Sequence, residues 1–156
     1  MRAELGTILL AEDNLNDAEL TITALQANRV ANEIVLVRDG AEALDYVLRT
    51  GTFADRPPDQ PALVLLDLKM PKVDGLEVLR RIKNDPNLRT LPVVVLTSSR
   101  EEQDLVASYD LGVNAYVVKP VDFHEFMDAV RTIGGFWGVI NEPPPAQGRA
   151  RNADTP

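Results

Sequence analysis

The sequence has no cysteine and a single histidine in 156 residues. Without thiols there is neither a disulfide framework nor a thiolate metal site, a composition that suits a reducing compartment. No apolar run is long enough for a membrane-spanning helix, because charge, glycine or proline interrupts each one within a few residues. Met1 to Gly6 carries no apolar signal segment. A soluble, cytoplasmic protein is therefore expected, with no membrane partner. Basic residues are the minority charge: 16 Lys and Arg stand against 24 Asp and Glu, for a net charge of -8. That balance argues against a phosphate-binding basic face, so no nucleic acid partner is expected. What remains, 45% hydrophobic and 26% charged, is the composition of one globular domain with a full core.

Short runs rich in Val, Leu and Ile alternate with amphipathic segments, as strands buried on both faces alternate with helices. Five strands are predicted: Thr7 to Ala11, Glu33 to Val37, Ala62 to Asp67, Val93 to Thr97 and Ala115 to Val118. The third reads Ala-Leu-Val-Leu-Leu-Asp without a polar interruption, as a central parallel strand should. Helical spacing joins Leu15, Ala18, Ile22 and Leu25, then Ala41, Leu44, Val47 and Leu48, then Leu76, Leu79 and Ile82. A fourth, weaker helix runs from about Glu101 to Leu111. The fifth has a stripe of Phe123, Phe126, Met127, Val130 and Ile133, with Asp122 and Glu125 placed as an N-terminal capping pair. Gly51, Pro86 and Gly112 supply stops, and Thr52 to Pro61 is a proline-containing loop. Right-handed crossovers then give a doubly wound α/β domain with a five-stranded parallel sheet, order 2-1-3-4-5. The domain is expected over residues 6–140, followed by a proline-rich, polar and disordered tail over residues 141–156.

In such a sheet, ligands bind beyond the carboxyl ends of the strands where strand order reverses, here between the first and third. The first strand runs into Glu12-Asp13-Asn14 and the third ends at Asp67, so three carboxylates from distant segments converge. Two carboxylates about 4 Å apart repel by roughly 4 kcal/mol at an effective dielectric near 20. Two such repulsions rival a small domain's whole stability of roughly 5–15 kcal/mol. A cation must be nearby, or protons must be taken up. Oxygen-only ligands and retained waters suit magnesium better than calcium. Taken singly, Asp13-Asn14 reads as a turn and Asp67 as a cap; three acids at adjacent strand ends do not read so easily. The fourth strand ends at Thr97, whose hydroxyl can donate to a phosphoryl oxygen, and the fifth delivers Lys119 followed by Pro120. Asp67 as nucleophile, a metal ion, Lys119 and Thr97 are the parts a phosphoryl transfer needs. Thr97-Ser98-Ser99 also reads as a helix cap, and Lys119 as a solvated charge.

The set Leu10-Ala11-Glu12-Asp13-Asn14, Leu66-Asp67-Leu68-Lys69-Met70-Pro71 with Gly75, Leu96-Thr97-Ser98 and Tyr116-Val117-Val118-Lys119-Pro120 resembles the receiver domain of two-component response regulators. The resemblance spans roughly Gly6 to Ile133 and implies a flavodoxin-like receiver fold. It implies that Asp67 accepts the phosphoryl group from a kinase histidine. Asp13, Asp67 and the backbone carbonyl of Lys69 would bind Mg2+ directly, with Glu12 acting through a metal-bound water. Thr97 and Tyr116 match the switch pair, Lys119 matches the phosphoryl-binding lysine, and the bond before Pro120 is expected to be cis. The Lys69 side chain and Ser99 stand where receivers vary and would tune the lifetime of the acyl phosphate.

Leu15-Asn16-Asp17-Ala18-Glu19, the Thr52 to Pro61 loop, Ser108-Tyr109-Asp110-Leu111-Gly112 and Phe136-Trp137 look like stand-alone regulators that accompany phytochrome-type sensor kinases. A sensor histidine kinase, of the phytochrome type, is thus the expected partner. Phe136 and Trp137 read by default as a satellite core cluster. The sharper expectation is a partner or homodimer surface, the homodimer forming through these two residues and the face of the fifth strand and last helix. His124, near the start of the fifth helix, is expected at the surface. With no effector domain following, output is expected through protein contact, dephosphorylation of an upstream protein or phosphate relay.

Three other functions share some of these features. A haloacid-dehalogenase-like phosphatase needs a second acid two residues after its nucleophile, where this chain has Lys69. A flavodoxin-like cofactor binder needs a Gly, Ser and Thr-rich first loop, where Glu12 and Asp13 would repel a phosphate. A phosphorylation-independent, receiver-like adaptor would not need the acceptor-site residues, all of which are present. Autodephosphorylation, rather than turnover of substrates, is the only hydrolysis expected.

Overall fold

Each buried run forms a strand because its β-branched and leucine side chains can pack on both sheet faces. The structure, a computed structural model, describes residues 6–28, 30–108 and 115–132. Its strands are β1 Ile8–Ala11, β2 Ile34–Val37, β3 Leu63–Asp67, β4 Val93–Thr97 and β5 Tyr116–Val118. The helices between and after them are α1 Leu15–Ala27, α2 Gly40–Leu48, α3 Gly75–Asn84, α4 Arg100–Ser108 and α5 Phe123–Thr132. All strand pairs are parallel, in the order β2-β1-β3-β4-β5. The expected strands are therefore present, four of them beginning one residue later than predicted.

Alternating side chains divide the core. Leu9, Val64 and Val95 point to the face covered by α2, α3 and α4, where Leu44, Leu79 and Val106 close it. Ile8, Leu65 and Leu96 point to the opposite face, where Leu25 of α1 and Phe126 of α5 close it. Phe126, Leu65 and Leu96 are fully buried. Burial of such side chains contributes about 1.5–3 kcal/mol each.

Capping fixes where helices begin. Asn14 accepts from the Asp17 N–H at 2.9 Å, Asp39 from Glu42 at 2.8 Å, and Asp74 from Glu77 at 2.9 Å. The expected Asp122 and Glu125 pair is joined by a bond from the Glu125 N–H to Asp122 Oδ1, at 3.1 Å.

Three details correct the helical reading. Leu15 is 59% exposed, and the inward side of α1 is made by Ala18, Thr21 and Leu25. As the first residue of α1, Leu15 comes only four residues after β1 ends, and its turn lies at the sheet's open end. Leu48, at the end of α2, is also exposed. Finally, α2 is stopped not by Gly51 but by Arg49, in the left-handed conformation at φ 58°. Gly51, at φ 56°, opens the 3-10 turn Gly51–Phe53 of the following loop. Ser108–Gly112 as a motif, Phe136, Trp137 and residues 141–156 lie wholly or largely outside the described residues.

Candidate functional site

Parallel register brings the carboxyl ends of the strands level with one another. Ala11 pairs with Leu66, so Glu12 and Asp67 are the next residues along adjacent strands. One carboxylate oxygen from each of Glu12, Asp13 and Asp67 lies within 4.8 Å of the others. Glu12 and Asp67 are buried, and Asp13 is half-buried. The three acids therefore do converge. An all-oxygen cluster of this size fits a hard divalent cation, and the residues present are suitable for one.

Two kinds of relief offset the repulsion. Lys119, carried on the turn after β5, donates to Asp17 Oδ2 at 2.9 Å, Glu12 Oε1 at 3.2 Å and Asp67 Oδ2 at 3.3 Å. Burial alone would lower the pKa of Lys119, but the carboxylates of Asp17, Asp67 and Glu12 hold it above the ordinary lysine value. Burial, followed by the hydrogen bond and charge of Asp67, pushes the Glu12 carboxyl up to about 7. Lys119 and the raised Glu12 carboxyl thus each relieve part of the repulsion among the acids.

Thr97 and the serines after it divide the two readings of that segment. Ser99 Oγ accepts from the Glu102 N–H at 3.2 Å, and Glu102 Oε1 accepts from the Ser98 N–H at 2.8 Å, which together cap α4. Thr97 takes no part in the cap. It is fully buried, and its Oγ1 has no hydrogen-bond partner. A buried hydroxyl without a partner costs about 1–3 kcal/mol. Its position at the end of β4, next to Asp67, is where an arriving oxygen acceptor would satisfy it.

The loop after β3 wraps Asp67. The Lys69 N–H points to Asp67 Oδ1 at 3.4 Å, and its Nζ reaches across to Glu102 Oε2, also at 3.4 Å. Gly75 lets the start of α3 close on this loop: a Cβ there would lie 2.3 Å from the Asp67 carbonyl oxygen. Gly40 plays the same part between the loops after β2 and β3, since its Cβ would meet the Val73 carbonyl. Lys72, at φ 68°, pairs with the buried Asp39 at 3.3 Å and ties those loops together. Asp39 is held below the usual carboxylate value because the Glu42 N–H and Lys72 outweigh the opposing effect of its burial.

Tyr116 is half-buried at the start of β5, about one strand length from Lys119, and burial raises its hydroxyl pKa. The Lys119-Pro120 bond is cis. His124 is exposed at the start of α5, its ring 6.2 Å from that of Phe123. Asp67 is not a helix cap, since α3 is capped by Asp74; Asn14 is one, as the turn reading allowed.

The sequence reading missed Asp17, Asp39 and Glu102 as neighbours of the site. Asp17 carried a signal in the capped first turn of α1, but its partner is 102 residues away.

Comparison with protein families matches residues 8–131 to the response regulator receiver domain. Response regulator Rcp1 of Synechocystis is 41% identical over 130 residues, covering 83% of this chain and 87% of Rcp1. The bacteriophytochrome response regulator AtBRR has a solved structure with a TM-score of 0.86 and 61% identity, over 90% of this chain and all of that one. The structure of phosphorylated RcpA, a cyanobacterial phytochrome response regulator, gives a TM-score of 0.68 at 44% identity, covering 86% of this chain and 94% of RcpA. The Mn2+-bound structure of Rcp1 gives 0.67 at 40% identity, over 85% of this chain and 94% of that one.

Proposed function

We propose that this chain, which belongs to the response regulator receiver family, is a magnesium-dependent switch that accepts a phosphoryl group on Asp67. Receivers are phosphorylation-based signalling modules, and a sensor histidine kinase is the corresponding partner. One observation carries the assignment of residues. Three carboxylates gather within 4.8 Å beside Lys119, next to a buried threonine hydroxyl that lacks an acceptor.

Asp13, Asp67 and the Lys69 carbonyl would hold the cation, with Glu12 acting through water. Once bound, it supplies the positive charge that lets an anionic phosphoryl group approach these acids. A carboxylate oxygen of Asp67 forms the new bond to phosphorus while the bond from phosphorus to the donor histidine nitrogen breaks. The electron pair of that bond returns to the imidazole. Lys119, already 3.3 Å from Asp67, pairs with the transferred oxygens. The Thr97 hydroxyl donates to one of them, ending its unpaired state. That new bond favours one of two arrangements of the β4–α4 loop, and Tyr116 conveys the choice to the face of β5 and α5.

No general acid stands two residues after Asp67, so hydrolysis of the acyl phosphate is slow and confined to the chain's own phosphoryl group. AtBRR and RtBRR are named as bacteriophytochrome response regulators, which supports a phytochrome-type kinase as partner. We assign the receiver to residues 6–140 and a tail to 141–156, and place the protein in the cytoplasm. Phe136 and Trp137, with the β5 and α5 face, would form a homodimer surface. A mass in solution that stays monomeric with and without beryllofluoride removes that surface.

Incubation with acetyl phosphate and Mg2+ tests the main reading. Intact mass is expected to show one phosphoryl adduct, absent from Asp67→Asn. Failure of the unsubstituted chain to form it, with no turnover of phosphate esters, would leave a phosphorylation-independent adaptor. Sustained turnover of a generic phosphate ester would instead indicate a phosphatase. Phosphotransfer rates from a panel of histidine kinases identify the partner, and a phytochrome kinase is expected to be fastest.

A further inference from the structure

Lys119 has three donors and three carboxylate partners, but those partners are not equivalent. Glu12 and Asp67 belong to the metal cluster, whereas Asp17 does not. Asp17 is also the shortest contact, at 2.9 Å against 3.2 and 3.3 Å.

The backbone of Asp17 is itself fixed. Its N–H donates to Asn14 Oδ1 at 2.9 Å, and its carbonyl accepts from the buried Thr21 hydroxyl at 2.9 Å. The Asn14 N–H in turn points to Glu12 Oε2 at 3.3 Å, while Glu12 Oε1 accepts from Lys119. Glu12, Asn14, Asp17 and Lys119 thus close a ring of hydrogen bonds that joins the β1–α1 turn to the turn after β5.

We propose that Asp17 is a positioning residue that anchors the Lys119 ammonium at the phosphoryl site. The ring supports an anchor and not a decoy. Nζ reaches Asp17 and Asp67 at once, so the bond to Asp17 does not draw the ammonium out of the pocket. When a metal ion and a phosphoryl group engage Glu12 and Asp67, two of the three donors are released to phosphoryl oxygens. The third stays on Asp17. An ammonium on a four-carbon stem otherwise loses rotamer freedom at the moment of binding, and the anchor removes most of that loss beforehand. This role rests on the assignment of Asp67 as acceptor and Lys119 as its phosphoryl-binding lysine.

Simple Coulomb reasoning predicts the opposite sign for the same substitution. Removing an acid 2.9 Å from Lys119 makes the pocket less negative and should tighten an anion there. Beryllofluoride, added with Mg2+ to the full chain, separates the two. With the anchor lost, Asp17→Ala is expected to bind beryllofluoride about tenfold more weakly, the loss of one charge-assisted hydrogen bond. Mg2+ affinity, measured alone by titration, is expected to stay within about twofold because Asp17 lies outside the metal cluster. Asp17→Asn keeps an acceptor oxygen and is expected to recover most of the beryllofluoride affinity.

Tighter or unchanged beryllofluoride binding in Asp17→Ala would overturn the anchor, as would an equal weakening of Mg2+. An asparagine no better than alanine would do the same. Should the alanine variant not fold, beryllofluoride binding by Asp17→Asn still decides. Affinity equal to or above that of the unsubstituted chain refutes the anchor, and affinity a few-fold below it supports it. If the unsubstituted chain forms no adduct at all, it is the acceptor assignment that fails.

Discussion

The two ends of the sheet each hold a cation among oxygen atoms, and they treat it in opposite ways. At the amino end, Arg56 donates to the carbonyls of Tyr46, Pro57 and Asp59 and to Gln60 Oε1, at 2.6 to 3.1 Å. Its guanidinium also lies 4.3 Å from the Tyr46 ring centre. Four of its five N–H groups are used, none on a carboxylate, and the result is an ordered loop beside a cavity of about 640 Å³. At the carboxyl end, Lys119 faces three carboxylates, Asp13 stands close by, and Thr97 has no partner. A satisfied network builds structure. An unbalanced one, held rigid by its neighbours, is prepared for a ligand that restores the balance.

Substitution should separate the two ends cleanly. Asp67→Asn is expected to abolish the acyl phosphate, a loss of more than about a hundredfold by intact mass, since an amide oxygen is a poor nucleophile. Arg56→Ala should leave the adduct untouched while lowering unfolding stability by about 1–2 kcal/mol, read from urea denaturation, because the carbonyl of the buried Tyr46 loses its donor and the exposed loop carbonyls lose their tie. A phosphorylation defect in Arg56→Ala would break the comparison.

The pH dependence is the next largest effect. Glu12 has a folded value of about 7 against an ordinary 4.5, so between them the metal-free folded chain keeps a proton that the unfolded chain has released. Stability from this group is full below pH 4.5 and is lost as pH rises toward 7. A cation must displace that proton. Apparent Mg2+ affinity, measured by titration at several pH values, should therefore climb with pH up to about 7 and level off above it, by at most about tenfold per unit.

Thr97→Val sharpens the contrast further. It removes a hydroxyl that has no partner, so the metal-free chain should gain about 1 kcal/mol in thermal or urea unfolding. The phosphorylated chain should lose its conformational response, seen as unchanged spectra on adding beryllofluoride. The smallest effect is expected for Glu102→Gln. Its pair with Lys69 is open to solvent on the lysine side, so the acyl-phosphate lifetime should change by less than about threefold.

Much of this was legible from residue types alone. Leu63 to Leu66 have no polar member, and only a strand covered on both faces explains such a run, so the sheet and its order followed. Glu12, Asp13 and Asp67 could be placed together because a parallel sheet aligns its carboxyl ends whatever lies between. Leu15 was misplaced since helical spacing says which residues share a face but not how far the helix extends past its sheet. Arg49 was missed as the stop of α2 because glycine is the commoner left-handed residue, while here Thr50 and Asp45 close the turn around an arginine.

The linear sequence by itself determined the alternation of elements, the sheet they form and the acids that terminate its strands, because these depend on local pattern and on the geometry common to all parallel sheets. Only the tertiary structure decided which carboxylate holds Lys119 most closely, that Thr97 rather than Ser99 lacks a partner, and that Lys69 leans on Glu102. The reason is distance along the chain: Asp17, Asp67 and Lys119 are separated by 50 and 52 residues, and no local rule specifies contacts between side chains that only folding brings together.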